Sequence, residues 1–191
     1  MDLYFLTALH SDNFANAYAI LTKITSAPKF KKASRIIKEK WKIYEYFLHY
    51  LLENTDNNLK GLYKQKSNIL FGKLLNDPVI FAKEHRAFTI QTVIAQIMVA
   101  YENKNLLLCA ENIERLRTYA TKQMKPDENI RVILFIKLLI QLMKSNFNSK
   151  FLTGFEKYLE KLEGTKMQDR GNPFDLEIYP YEKLWNLLLS K

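Results

Sequence analysis

Apolar residues recur along most of the chain at spacings of three and four, and polar turns separate the periodic stretches. This spacing is typical of amphipathic helices, whereas half-buried strands would alternate at every second position. In the longest periodic stretch, residues 29–53, one helix face carries Ala33, Ile37, Trp41, Tyr44, Leu48 and Leu51. The pattern therefore predicts one long helix there, with this face turned towards the core.

The same period predicts seven further helices, so that we expect about eight in all. The first of them follows Asp12 and Asn13, either of which suits a helix N-cap, and it ends at Pro28. Polar breaks such as NTDNN, NDP, NKN and NFNS separate the others. The predicted stretches are 14–27, 62–75, 87–101, 106–124, 130–143, 151–164 and 180–190.

Composition favours an all-α protein. The 191 residues include only five glycines and five prolines, too few for the frequent tight turns of a sheet. No apolar run approaches the roughly 20 residues of a membrane span, and the first residues lack the basic start of a secretory signal. A single cysteine, Cys109, agrees with a reducing compartment. We therefore expect a cytoplasmic protein that does not enter the membrane.

Two segments repeat loosely. DNFANAYAIL (12–21) and KNLLLCAENI (104–113) both place a polar turn pair before a large apolar residue and a helix. Residues of the first segment and its continuation resemble the second helix of a tetratricopeptide repeat: Asn13, Phe14, Ala17, Leu21, Ile24 and Pro28. The Trp and Gly-Tyr signature of the first repeat helix is absent. The resemblance implies antiparallel hairpins stacked as a right-handed α-solenoid.

The end of the chain strengthens the repeat interpretation. Its Pro-Tyr-Glu-x-Leu-Trp segment resembles the end of uncharacterised bacterial helical-repeat proteins, and this resemblance implies repeat architecture with no known activity. We expect a single helical repeat domain over 1–191, either a natural short member or the C-terminal part of a longer stack. Residues 164–179 form an irregular tail, and residues 180–190 a capping helix that docks through Leu184, Trp185 and Leu188.

The search for catalytic chemistry finds no supported site. The three histidines, His10, His49 and His85, lie far apart in sequence and form no i, i+4 metal-binding pair. Cys109 has no nearby histidine or lysine and is interpreted as a small buried residue. Adjacent Glu84, His85 and Arg86 point in different directions on a helix, which favours surface solvation over acid–base work. We expect no enzyme activity, no metal and no cofactor.

Positive charge is concentrated in the first third of the chain. The net charge is +9, and eight Lys or Arg fall between residues 23 and 42, where Glu39 is the only acid. On the predicted long helix Lys31, Arg35, Lys38 and Lys42 form one stripe with Lys32 beside it. Such a stripe suits phosphate contacts, but a solvated helix face produces the same pattern.

The sequence therefore supports two functional hypotheses. The first is a non-enzymatic protein–protein interaction module, which docks a peptide or partner helix in a concave groove lined by the first helices of the repeats. The alternative is a nucleic-acid-binding protein that uses the basic helix of residues 29–42. Candidate binding residues for that alternative are Lys31, Lys32, Arg35, Lys38 and Lys42. The identity of the partner and the oligomeric state stay open.

Overall fold

All regular structure in the part of the chain that the computed structural model describes, residues 2–55, 64–76, 86–125, 129–167 and 177–190, is helical. It comprises ten α-helices and one 3-10 helix, Ser149–Phe151, with no strand among these residues. The all-α class predicted from the sequence is confirmed. The α-helices are α1 Asp2–His10, α2 Phe14–Ser26, α3 Pro28–Lys31, α4 Arg35–Thr55, α5 Lys64–Asn76, α6 Arg86–Glu102, α7 Leu106–Gln123, α8 Ile130–Lys144, α9 Glu156–Glu163 and α10 Tyr181–Leu189.

The prediction of one helix over 29–53 is wrong, because two helices occupy this stretch. α3 ends at Lys31, and α4 begins at Arg35. The backbone N–H of Lys38 donates to the carbonyl of Ser34 at 3.2 Å, which places Ser34 at the N-cap of α4. Ile37, predicted to face the core, is 40% exposed. The buried face of α4 therefore begins only near Trp41.

The chain divides into two compact units. The first comprises residues 1–95 and 170–179, and the second comprises residues 96–169 and 180–191. α6 supplies residues to both units. None of the described helices combines the length and the apolar character needed to cross a lipid bilayer.

An aromatic cluster forms part of the core of the first unit. The ring of Phe5 in α1 stacks on Tyr44 at 5.0 Å and meets the edge of Trp41 at 5.4 Å, measured between ring centroids. All three side chains are at most 3% exposed. Offset and edge-on aromatic pairs add attraction beyond the burial of area. The cluster therefore fixes α1 against α4.

The second unit is built around α8, which packs against α7, α9 and α10. Trp185 in α10 is fully buried and its ring lies 5.8 Å from that of Phe155, while Tyr181 stacks on Phe135 at 4.7 Å. Leu184 and Leu188 are also fully buried. The last helix therefore packs against α8 and α9 through buried side chains.

Arg131 is a buried residue of the second unit, and its guanidinium donates several hydrogen bonds. Its Nη1 donates to the carbonyls of Leu162 and Thr165 at 2.8 and 2.5 Å, and its Nη2 lies 2.5 Å from Glu182 Oε2. Charge-assisted bonds of this kind offset the cost of removing the guanidinium from water. Arg131 therefore joins α8, the end of α9 and the start of α10.

The turn between α1 and α2 is closed by a Schellman-type pattern. Asp12 adopts a left-handed conformation, with φ 57°, and the N–H of Asn13 bonds to the carbonyl of Ala8 at 2.8 Å. The Asn13 side chain then accepts from the N–H of Asn16 at 3.1 Å, which caps the next helix. Asn13 thus makes the last backbone hydrogen bond of α1 and caps the start of α2.

The turn between α6 and α7 repeats this geometry 92 positions later. Lys104 has φ 56°, the N–H of Asn105 bonds to the carbonyl of Ala100 at 2.9 Å, and Asn105 Oδ1 accepts from the N–H of Leu108 at 3.2 Å. These two turns open the two segments that repeat loosely in the sequence. The two segments therefore share their turn geometry as well as their sequence pattern.

Candidate functional site

A groove open to solvent runs between α1 and α2, with a cavity volume of about 430 Å³. Both helices contribute to it. The residues that line it are Tyr4, Thr7, Ala8, Ser11, Asn13, Asn16, Ile20 and Lys23.

Helical periodicity places these side chains on one side of the hairpin. On α2 the lining residues Asn16, Ile20 and Lys23 are four and three positions apart, and Asn13 precedes them by three. The opposite face of α2 carries Phe14 and Leu21, which are buried. Because i, i+3 and i+4 neighbours share a helix face, the groove-lining face and the core-facing face of α2 are distinct.

The two ends of the groove differ in chemistry because α1 and α2 are antiparallel. Tyr4, early in α1, lies at the end of the groove that Ile20 and Lys23 line from α2, and Tyr4 is 73% exposed. The other end, at the turn, carries the polar residues Ser11 and Asn13. One end thus offers an aromatic ring, an aliphatic side chain and a cation, and the other offers hydroxyl and amide groups.

The basic residues predicted to form one stripe are divided between two helices. Lys31 is the last residue of α3, and Lys32 is its C-cap. Arg35, Lys38 and Lys42 lie on α4 at spacings of three and four and share a face. The predicted four-residue stripe on one continuous helix is therefore wrong, although Lys31, Lys32, Arg35 and Lys38 are all exposed.

Two cations of this region take part in packing. Lys40 is 6% exposed and forms an ion pair with Asp2, which ties α4 to the start of α1. The ammonium of Lys42 lies 5.8 Å from the ring centroid of Tyr46, within the range of a cation–π contact. The remaining six are exposed and form no ion pair with a described residue: Lys23, Lys29, Lys31, Lys32, Arg35 and Lys38.

Cys109 lies in the interior, as predicted. It is 1% exposed, its Sγ lies 3.8 Å from the carbonyl oxygen of Ile97, and burial raises its pKa to about 12. A thiol with such a pKa is almost entirely protonated at neutral pH and is a poor nucleophile. Tyr101, in the same unit, also has a raised pKa, because of burial first and the nearby Cys109 second.

The histidines occupy unrelated surroundings. His10 Nε2 lies 2.8 Å from the carbonyl of Glu177, and His49 is fully buried with Nε2 4.0 Å from Glu45 Oε1. His85 and Glu84 lie outside the described residues. In the parts of the chain that the structure describes, no three His, Cys, Asp or Glu side chains are placed to hold a metal ion.

Sequence reasoning did not single out the groove. The α1 side of the groove comes from LYFLTALH, residues 3–10, where no binding site was predicted. A signal was available, since Tyr4, Thr7 and Ser11 recur at spacings of three and four on the face opposite Phe5 and Leu9. Comparison with protein-family models, with curated proteins and with solved structures gives no match to the chain.

Proposed function

We propose that the protein is a non-enzymatic interaction module that binds a peptide or a partner helix in the groove between α1 and α2. The observation that carries this proposal is the groove itself, which is lined by exposed Tyr4, half-buried Ile20 and Ala8 and has polar groups at the turn end. Peptide sites commonly combine an apolar anchor pocket with a few polar groups that fix orientation. Aromatic residues also dominate the binding energy of many interfaces.

The proposal includes a repeat architecture resembling the tetratricopeptide class, with hairpins stacked in a right-handed sense. Support comes from the two turns 92 positions apart, which share their positive φ, their backbone bonds and their asparagine cap. In each second helix a small residue follows the cap by four positions and is buried, Ala17 in α2 and Cys109 in α7. Small residues at that position let two helices approach closely.

Two buried groups, the thiol of Cys109 and the guanidinium of Arg131, support a binding role over a catalytic one. The thiol is protonated at neutral pH, and the guanidinium is committed to two carbonyls and Glu182. Both groups therefore serve packing. We expect the protein to act in the cytoplasm, where an unpaired cysteine remains reduced.

The test is a selection of peptides from a random library on the purified chain, followed by affinity measurements on variants. Tyr4→Ala and Ile20→Ser are expected to weaken binding of the selected peptides by about tenfold or more, as loss of interface anchors does. Leu3→Ala is the matched control, because Leu3 is 62% exposed on the same helix but does not line the groove. Equal binding to all variants would refute groove docking.

The second candidate function is nucleic-acid binding, and the six exposed cations between residues 23 and 38 favour it. Phosphate binding through Z contacts weakens with salt at a log–log slope of about −0.9Z for duplex DNA. Groove docking responds mildly to salt. We expect only weak association that disappears near physiological salt, as positive charge alone produces.

The deciding variant replaces Lys31, Lys32, Arg35 and Lys38 by glutamine, and the control replaces the exposed lysines 122, 125, 144 and 150. Both variants lose the same number of charges. A salt-resistant complex with one defined RNA or DNA that the first variant abolishes and the second preserves would establish the alternative function.

A further inference from the structure

The turn between α1 and α2 is covered by a short segment from far along the chain. The carbonyl of Glu177 lies 2.8 Å from His10 Nε2, and the Tyr179 hydroxyl donates to Asp12 Oδ1 at 2.7 Å. The ring of Tyr179 lies 6.4 Å from that of Phe14. Phe14 is consequently only 6% exposed, although it is the first residue of α2.

The turn between α6 and α7 has the same backbone but carries different side chains at these three positions. Counting 92 residues on, Glu102 replaces His10, Lys104 replaces Asp12 and Leu106 replaces Phe14. Leu106 is 40% exposed and its neighbour Leu107 is 73% exposed. The apolar position that residues 177–179 cover in one hairpin is therefore open to water in the other.

We propose that the turn between α6 and α7 is a second docking site, which takes an extended acidic peptide segment of another protein. An apolar side chain of that segment covers Leu106 and Leu107, and a carboxylate pairs with Lys104. Residues 177–179 on the first turn supply the template for the apolar cover and for the bond to the side chain at the turn, whereas the bond between His10 and Glu177 has no counterpart because Glu102 offers no donor. The site shares no residue with the groove between α1 and α2 and does not depend on it.

Charge decides which segment fits. Asp12 accepts a hydrogen bond from a tyrosine hydroxyl, whereas Lys104 is a cation and requires an acceptor. A carboxylate is the acceptor that forms the strongest hydrogen bond with an ammonium group. The second turn therefore selects an acidic side chain where the first turn selects tyrosine. The partner segment thus differs from residues 177–179 of this chain at that position.

A synthetic peptide tests this selection. FDLEIEP reproduces residues 174–180 with Tyr179→Glu, and FDLEIYP is the unchanged segment. Fluorescence anisotropy of the labelled peptides is expected to give tighter binding for FDLEIEP. Leu107→Ser should weaken that binding by about tenfold, since it removes the most exposed apolar side chain of the site. Phe151→Ser, at a residue that is 70% exposed elsewhere, is the matched control.

Lys104→Asp provides the sharper test, because it gives the second turn the acceptor of the first. The variant should bind FDLEIYP more tightly than FDLEIEP and so reverse the preference of the parent. Aspartate occupies the same left-handed position at residue 12, so the turn is expected to form. Lys122→Asp changes the charge equally at an exposed position near the end of α7 and should leave the preference unchanged.

Three results would overturn the proposal. The first is no binding of FDLEIEP at about 1 mM peptide, where even weak docking is measurable. The second is binding that neither Leu107→Ser nor Lys104→Asp alters. The third is self-association of the parent protein in sedimentation that Leu107→Ser abolishes, which would identify a second copy as the occupant. Tyr4→Ala should leave binding unchanged, so failure here and failure of groove docking are distinguishable.

Discussion

The hydroxyl of Tyr179 donates a hydrogen bond of 2.7 Å to Asp12 Oδ1, although 167 positions separate the two residues. Tyr179 is 4% exposed. Burial in the first place, and then the bond to Asp12 and its charge, raise the pKa of Tyr179 far above the ordinary tyrosine value. The bond is charge-assisted and part-buried, since the tyrosine that donates it is buried and the aspartate that accepts it is exposed.

Tyr179→Phe should therefore lower the free energy of unfolding by about 1.5 to 3 kcal/mol, the range for hydrogen bonds to charged groups. Urea titration followed by circular dichroism measures the change. Asp12→Asn is the control, because its amide oxygen still accepts a bond and asparagine tolerates positive φ. It should cost clearly less. Equal stability of Tyr179→Phe and the parent would contradict this role for the bond.

Two lysines that look alike in sequence should respond very differently to the same substitution. Lys40→Gln removes a buried cation from Asp2, whose side chain remains 25% exposed, and should cost about 2 kcal/mol. Lys38→Gln changes an exposed side chain and should stay within about 0.5 kcal/mol. Thermal unfolding of both variants checks the contrast. Similar melting temperatures for the two variants would contradict a stabilising role for the Asp2–Lys40 pair.

Alkaline pH should destabilise the protein through Cys109. Burial raises its pKa from 9.0 to about 12, so the fold favours the neutral thiol. Its contribution is complete below about pH 9 and is lost between pH 9 and pH 12, with a slope of up to about 1.4 kcal/mol per pH unit. Urea titrations across this window should show a shallower decline for Cys109→Ala than for the parent. Tyr44 and Tyr179, whose pKa values are also raised, titrate in both proteins.

Trp185→Ala should be among the most destabilising single substitutions in the second unit. The indole is fully buried against Phe155, and loss of a buried tryptophan costs about 3 to 5 kcal/mol through lost burial and the cavity left behind. Phe151→Ala, at an aromatic residue that is 70% exposed, should change stability by about 0.5 kcal/mol or less. Calorimetry on both variants measures the difference in their melting temperatures. A Trp185→Ala melting temperature within a degree or two of the parent would refute docking by this helix.

Lys104→Gly should stabilise the protein. Lys104 adopts φ 56°, a conformation that costs a residue with a Cβ roughly 1 to 2 kcal/mol and costs glycine nothing. After the greater chain entropy of glycine in the unfolded state is subtracted, a net gain of about 0.5 to 1 kcal/mol remains. Arg115→Gly in the middle of α7 is the control and should cost about 1 kcal/mol. A loss of stability in Lys104→Gly would contradict the strain argument.

The sequence predicted the helical class and the similarity of the segments 12–21 and 104–113, because both depend on local patterns. Asn13, one of the two N-cap candidates before α2, caps that helix, and Asn105 caps α7 in the same way. The break before α4 was missed, although Ser34 is a favoured N-cap residue, because the charged residues around it fit a continuous helix equally well. The period of the apolar residues does not locate such a break.

The contacts of Glu177 and Tyr179 were beyond prediction for a different reason. Residues 164–179 have no period, and the hydrogen-bond partners of Glu177 and Tyr179 lie 167 positions earlier. The role of Lys40 was equally hidden, since its burial depends on the position of Asp2 in the fold and not on its neighbours in sequence. The charge count therefore overstated the basic surface. Two of its eight cations, Lys40 and Lys42, take part in packing.

The covering of the first turn by residues 177–179 has a consequence for the synthesis of the protein. A ribosome adds about 5 to 20 residues per second, so these residues emerge on the order of 10 to 30 s after His10 and Asp12. During this interval Phe14 lacks the cover that Tyr179 supplies in the folded protein. Contacts of such high sequence separation also form slowly. The first unit therefore cannot complete its packing until residues 177–179 have been synthesised.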